Sequence, residues 1–147
     1  MGMRRRAREA SLQLLYEIDL GQKDAEEILS SERLPWQRSL VTEMDPNEDP
    51  AQIEDFVRQI VEGVNRNVRE IDRLIESHST HWKISRMAIV DRNILRMAVF
   101  EILYCKDIPP SVSINEAIEI GKRYGTEESG AFINGVLDHI AKDLKKE

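Results

Sequence analysis

Cysteine is almost missing from this sequence, with Cys105 the single one among 147 residues. A lone cysteine closes no internal disulfide, so packing must hold the fold, and nothing calls for an oxidising compartment. Cys105 sits in the apolar run that begins at Phe100, where a thiol ordinarily serves as a small buried hydrophobe. Aromatic residues make up only 5% of the chain, so the core must be mostly aliphatic. No apolar stretch approaches the roughly 20 residues that cross a bilayer. The arginine-rich start lacks the apolar segment of a signal peptide, so a cytoplasmic protein is expected. Glycine-rich phosphate loops are absent, as are Cys or His pairs that complete a metal set. His78 and His81 lie three apart beside Ser and Thr, with no acidic residue to finish a ligand set, and His139 stands elsewhere. No nucleophile with a base is recognisable, so no catalysis, metal or cofactor is expected.

What the sequence does have is charge and helical periodicity. Hydrophobic residues account for 41% and charged residues for 33%, the balance of a globular chain long enough to bury its own core. Strand-like alternation is absent, and apolar residues recur at helical spacing nearly throughout. A first helix is expected from about Arg4 to Gly21, with Ala7, Ala10, Leu14, Leu15 and Ile18 as its core stripe and Gly21 as its stop. A short second helix covers about Asp24 to Glu32. Pro35, Pro46 and Pro50, with acidic residues between them, predict a surface segment over 33–50, with one helical turn near Trp36. A third helix starts near Gln52, with Phe56, Ile60, Val61 and Val64 inward. A following segment, Val68 to Ser77, continues with Ile71, Leu74 and Ile75. The break from His78 to His81 divides the chain into two candidate sub-bundles. From about Ile89 to Cys105 the helix is apolar nearly all round, which marks a central one. Ser113 and Glu116 have capping-box spacing for the next helix, and Gly125 suits a left-handed closing residue. The last helix begins near Thr126, with Phe132, Ile133, Val136, Leu137, Ile140 and Leu144 on its buried face. The expectation is one all-α domain over 1–147, a compact bundle of six or seven helices.

The net charge of −6 argues against nucleic-acid binding only if charge is spread evenly, and it is not. Arg4, Arg5, Arg6 and Arg8 fall in one short stretch, while Glu43, Asp45, Glu48 and Asp49 cluster far along the chain. A local basic patch binds phosphate on an acidic protein. At about 100° per residue, Arg5, Leu12 and Tyr16 project opposite the core stripe of the first helix, and Arg4 and Arg8 flank it. A solvated face with snorkelling arginines is the ordinary account. A tyrosine and a leucine on a charged face look instead like a partner site. Cations at a helix N-terminus also oppose its dipole, a small hint of a role other than stability.

Asp91, Arg92, Arg96 and Glu101 stand among apolar neighbours on the central helix. Internal ion pairs are the ordinary account of the last three, whereas Asp91, near the start, is expected to face outward. Gly135 interrupts a strong helical run, which a tight helix–helix approach would explain. Asn134 beside it has either a neighbouring helix or a ligand to bond.

Four blocks, in order, carry a resemblance: Arg4 to Glu9 with Leu14-Leu15-Tyr16; Val90 to Ala98 followed by Phe100-Glu101; Ile108-Pro109 leading to Ile114-Asn115-Glu116-Ala117; and Phe132 to Asp138. Together they resemble the NusB family, while the stretch Pro35 to Pro50 matches no family pattern. The resemblance implies two small helical bundles packed together and no catalysis. It also implies binding of boxA RNA with NusE, a small-subunit ribosomal protein, in a complex that helps RNA polymerase resist termination, chiefly in ribosomal RNA operons. By position, it makes Arg4, Arg5 and Arg6 the expected RNA contacts, beside Arg8 of the same basic stretch. Glu128 and Phe132 are expected near that RNA surface, and Tyr16 and Asp91 at the NusE interface, meeting on one face. Only Met1 and Gly2 precede Met3 and the arginines, so RNA contacts from a longer basic lead-in are not expected. Ribosomal RNA cytosine methyltransferases carry a similar accessory domain, but no Rossmann half accompanies this sequence.

Overall fold

The computed structural model describes residues 2–21, 24–30, 47, 49–80 and 82–146. Among them, regular structure is entirely helical: α1 (Met3–Asp19), α2 (Ala25–Ser30), α3 (Pro50–His78), a 3-10 turn (Ile84–Arg86), α4 (Ile89–Tyr104), α5 (Pro110–Tyr124) and α6 (Ser129–Lys146). The all-α expectation holds. Most of the expected surface segment at 33–50, including Trp36, lies outside the described residues, as do 31, 32 and His81.

The chain divides into two compact units, Met1–Asn65 and Arg66–Glu147. The boundary therefore falls inside α3 and not at the expected break over 78–81. The two expected segments over 52–77 form one element that departs from helical geometry at Asn67 (φ −113°, ψ 17°). At the bend the Asn67 side-chain oxygen accepts from the Tyr104 hydroxyl at 3.4 Å. The apolar spacing runs on past the bend, so periodicity alone does not show where one core ends.

In the first unit, α1 ends where Gly21 takes φ +75° and donates its N–H to Ile18 O at 2.9 Å, as its sequence position predicts. Helix α3 starts two residues earlier than expected. Asp49 accepts from the N–H of Ala51 at 3.0 Å, and Pro50 takes the first helical position, where a missing N–H costs nothing. Buried Ile53, Val57, Ile60, Val61 and Val64 form the inner face of this half of α3. Arg58 joins α3 to α2 by donating to Leu29 O while pairing with Glu54 at 3.0 Å. One reading of α1 is corrected: Leu12, expected outward, is only 5% exposed. The buried positions Ala7, Arg8, Ala10, Ser11, Leu12, Leu14 and Leu15 span about 200° of the helix, far wider than the stripe read from periodicity.

In the second unit α4 is central, as expected: every residue from Asn93 to Glu101 is buried, and α4, α5 and α6 pack on one another. Three of its charged side chains are bonded within the unit. Arg96 forks onto Asp72 (2.8 and 2.9 Å) and also bonds Asn93 Oδ1 at 3.1 Å. Arg92 donates to Ile84 O at 3.3 Å. Glu101, buried, accepts from the Ser113 hydroxyl at 2.8 Å. That bond overturns the capping-box reading. Pro109 caps α5, Pro110 occupies its first turn, and Ser113 lies a turn inside with its hydroxyl committed to the core.

Two glycine readings also change. Gly125 is not left-handed (φ −94°). A Cβ there would collide with the Ser129 side chain and stand 2.8 Å from Gly121 O. The close approach assigned to Gly135 is thus made by Gly125, and by Gly121, where a Cβ would meet Ile133 at 2.7 Å. A Cβ on Gly135 would touch nothing within 4 Å, and Asn134 is exposed. Helix α6 starts at Ser129 and not at Thr126, which instead accepts from the Glu128 N–H at 3.3 Å in the turn before it.

Candidate nucleic-acid interface

The arginine block forms the first turns of α1. Its helix starts without a side-chain cap and without an acidic residue in the first turn, so several cations gather at a positive dipole end. Arg4 is exposed, and Arg5 and Arg6 are half-buried. Arg8 is not a surface residue: it is 3% exposed, and its guanidinium lies over the Phe56 ring at 5.5 Å from the centroid. Arg4, one turn earlier, lies over the same ring at 5.2 Å. Phe56 is the half-buried member of the expected inner face of α3, and here it is an aromatic floor for two arginines. Between α1 and α3, an open cleft of about 290 Å³ is bordered by Arg4, Phe56, Gln52, Asp55 and Gln59. Cation, ring and amide groups in one concavity suit a nucleotide, because guanidinium serves both phosphate and base faces.

The other expected RNA residues belong to the second unit. Glu128 is exposed in the turn before α6, and Phe132 is half-buried one turn on, its N–H bonded to Glu128 O at 3.1 Å. Phe132 meets Trp82 edge-to-face, with centroids 6.5 Å apart at 76°. Trp82 escaped the sequence reading because it follows a helix break, outside any apolar periodicity. The available signal was an indole in a run of polar residues, where no core position is expected.

Tyr16 is 36% exposed, on the side of α1 away from its buried arc. Asp91 lies in the first turn of α4, where a carboxylate suits the dipole. It is half-buried and not fully outward. Its Oδ1 is buried and accepts no hydrogen bond among the described residues. A shielded, unpaired carboxylate oxygen carries a desolvation cost that a cationic partner would remove.

Among the described residues no cluster of three or more His, Cys, Asp or Glu side chains is arranged to hold a metal ion. His78 Nε2 instead pairs with Asp143 at 2.7 Å, and its ring packs edge-on against His139 at 4.7 Å. No described helix is long and apolar enough to cross a membrane.

Comparison with known proteins finds relatives along nearly the whole chain. The pattern that describes the NusB family matches residues 5–142. The transcription antitermination protein NusB of Desulfatibacillum aliphaticivorans is 49% identical over 147 residues, covering 100% of this chain and 95% of the relative. The T. maritima NusB structure superposes with a TM-score of 0.73 at 40% identity, covering 95% of this chain and 91% of that one. A chain in the crystal structure of antitermination factors NusB and NusE with double-stranded RNA gives 0.76 at 28% identity, covering 96% and 97%. An arginine-led first helix, a buried central helix with its internal arginine fork and a match from residue 5 to residue 142 lead to one assignment: the chain belongs to the NusB family.

Proposed function

We propose that this protein is a transcription antitermination factor that binds boxA RNA of nascent ribosomal RNA transcripts together with NusE and helps RNA polymerase resist termination. The observation that carries the RNA half is the arginine block at the start of α1, with Arg4 and Arg8 set over Phe56 beside an open cleft. Arg4, Arg5 and Arg6 contact the RNA. Arg8, being buried, positions Phe56 and supplies positive charge from behind. Glu128 and Phe132 contribute from the turn and start of α6. Tyr16 and Asp91 each serve NusE recognition: tyrosine gives rigid area with a polar tip, and a shielded carboxylate attracts a basic ribosomal protein. The chain works as one RNA-binding domain over 1–147 in the cytoplasm, with 33–50 as a surface segment, and it performs no catalysis. A match to an antitermination protein along 95% of its length supports this reading over a methyltransferase accessory domain.

The test is titration of a boxA oligoribonucleotide with the protein, alone and with NusE, at two salt concentrations. Phosphate contacts make affinity fall steeply with salt, and NusE should tighten binding. No RNA binding in either form, or affinity indifferent to salt, overturns the proposal.

A further inference from the structure

Trp82 is 51% exposed, more than any other large apolar side chain among the described residues. Its exposure is not that of a loose segment. The hydroxyl of Ser79, a buried residue, donates to Trp82 O at 2.8 Å, and the Trp82 N–H donates back to Ser79 O at 3.2 Å. Two residues on, the Ile84 N–H is fixed by Glu76 Oε2 at 2.8 Å. The backbone around Trp82 is thus tied down on both sides while the indole is left in solvent. Leaving so much apolar area wet forgoes stabilisation of about 25 cal/mol per Å², in a chain with very few aromatics to spare. The indole stands at 76° to the half-buried Phe132 ring, an edge-to-face contact that leaves about half of the Trp82 side chain in solvent. Lys83 and Arg86, both exposed, follow Trp82 in the same segment, and exposed Glu128 lies one turn before Phe132.

Aromatic faces beside cations are the equipment for unstacked nucleotides: the ring takes the base and the cations take the phosphates. An acidic side chain nearby accepts from an exocyclic amine on the base edge. We propose that Trp82 and Phe132 form a stacking platform for an unpaired base of single-stranded RNA, with Lys83 and Arg86 on the adjoining phosphates. The inference rests on the RNA-binding reading above and adds Trp82, Lys83 and Arg86 to it. The cations favour RNA over an apolar protein segment, which has no phosphates to engage them.

The experiment compares wild type, Trp82→Ala, Trp82→Phe and the Arg4, Arg5, Arg6 triple alanine variant, each with NusE, binding a single-stranded boxA oligoribonucleotide. In parallel, Trp36→Phe leaves Trp82 as the sole tryptophan, so the emission reports on that indole. Trp82→Ala should weaken RNA binding about tenfold, as loss of one stacked base does. Trp82→Phe should stay within about threefold of wild type, a modest part of that stacking contribution. RNA should quench Trp82 emission, and NusE affinity should be unchanged in both variants. If Trp82→Ala binds RNA like wild type while the triple arginine variant does not, the platform is wrong and the RNA reading stands. Loss of NusE binding with RNA binding kept makes the surface a protein contact and overturns the platform. Absence of quenching on saturation with RNA overturns it even if Trp82→Ala fails to fold. Failure of wild type itself to bind RNA ends both readings.

Discussion

Arg96 of the second unit and the arginines that open α1 in the first are set in different ways. In Arg66–Glu147, Arg96 is a core residue whose fork is filled by Asp72 and Asn93 from within the same unit. In Met1–Asn65, Arg4 and Arg8 are set over an aromatic ring at the edge of a cleft. The difference lies in where each geometry places the guanidinium. A guanidinium locked bidentate onto a carboxylate has spent its charge on folding. One held over a ring is positioned by its flat face, here on Phe56 at the border of an open cleft. The sequence writes both as arginines near apolar neighbours, and only their partners separate structure from binding.

If that contrast is right, changes inside the second unit should damage stability, and changes at the start of α1 should damage binding. The largest effect is expected for Ile94→Ala, which empties a fully buried site in α4 and should cost about 3–4 kcal/mol in denaturant unfolding. A loss under about 1 kcal/mol would mean that α4 is not the centre of its unit. Arg96→Ala comes next, at about 2–3 kcal/mol. It strands Asp72, whose side chain is 24% exposed, so water recovers part of the loss of a buried pair. Its RNA affinity, measured below the unfolding transition, should match wild type.

The triple change of Arg4, Arg5 and Arg6 to alanine should do the reverse. Affinity for boxA RNA should fall about thirtyfold at low salt and its salt slope should flatten, with helical content retained by circular dichroism. Equal loss of stability and binding would erase the contrast between the units. Tyr16→Asp and Asp91→Lys should each weaken NusE by at least about tenfold in calorimetric titration, roughly 1.4 kcal/mol, with RNA binding by the isolated protein nearly intact. Equal loss of both ligands in folded protein would merge the two surfaces into one. The smallest effect has the opposite sign. Gly135→Ala should raise stability by about 0.5–1 kcal/mol, because the site is helical and open. Gly125→Ala, against Ser129 and the Gly121 carbonyl, should lower it.

Much of this was legible beforehand, and the failures have a common cause. Helix positions follow from apolar spacing, so α1, α4 and α6 were read within a few residues. The stop at Gly21 needed only local chain chemistry. Ser113 was misread because a serine three residues before a glutamate satisfies a local rule, while its real acceptor, Glu101, lies on another helix. Gly125, and not Gly135, makes the close approach, because a glycine's reason is whatever would touch its missing Cβ. Periodicity puts Leu12 outside because it marks a single stripe, while the buried arc is wider. Trp82 is invisible to helical spacing because no periodicity marks it.

The sequence by itself determined the helical class, the buried character of α4, the segregated arginine block and the family, since each is a property of residue order and of spacing within a few turns. Only the tertiary structure decided which arginine is spent on a carboxylate and which is set over a ring, where α3 passes from one unit to the other, and that an indole is pinned in solvent beside Phe132. Those outcomes depend on groups far apart in the chain, and a long-range partner leaves no trace in local spacing.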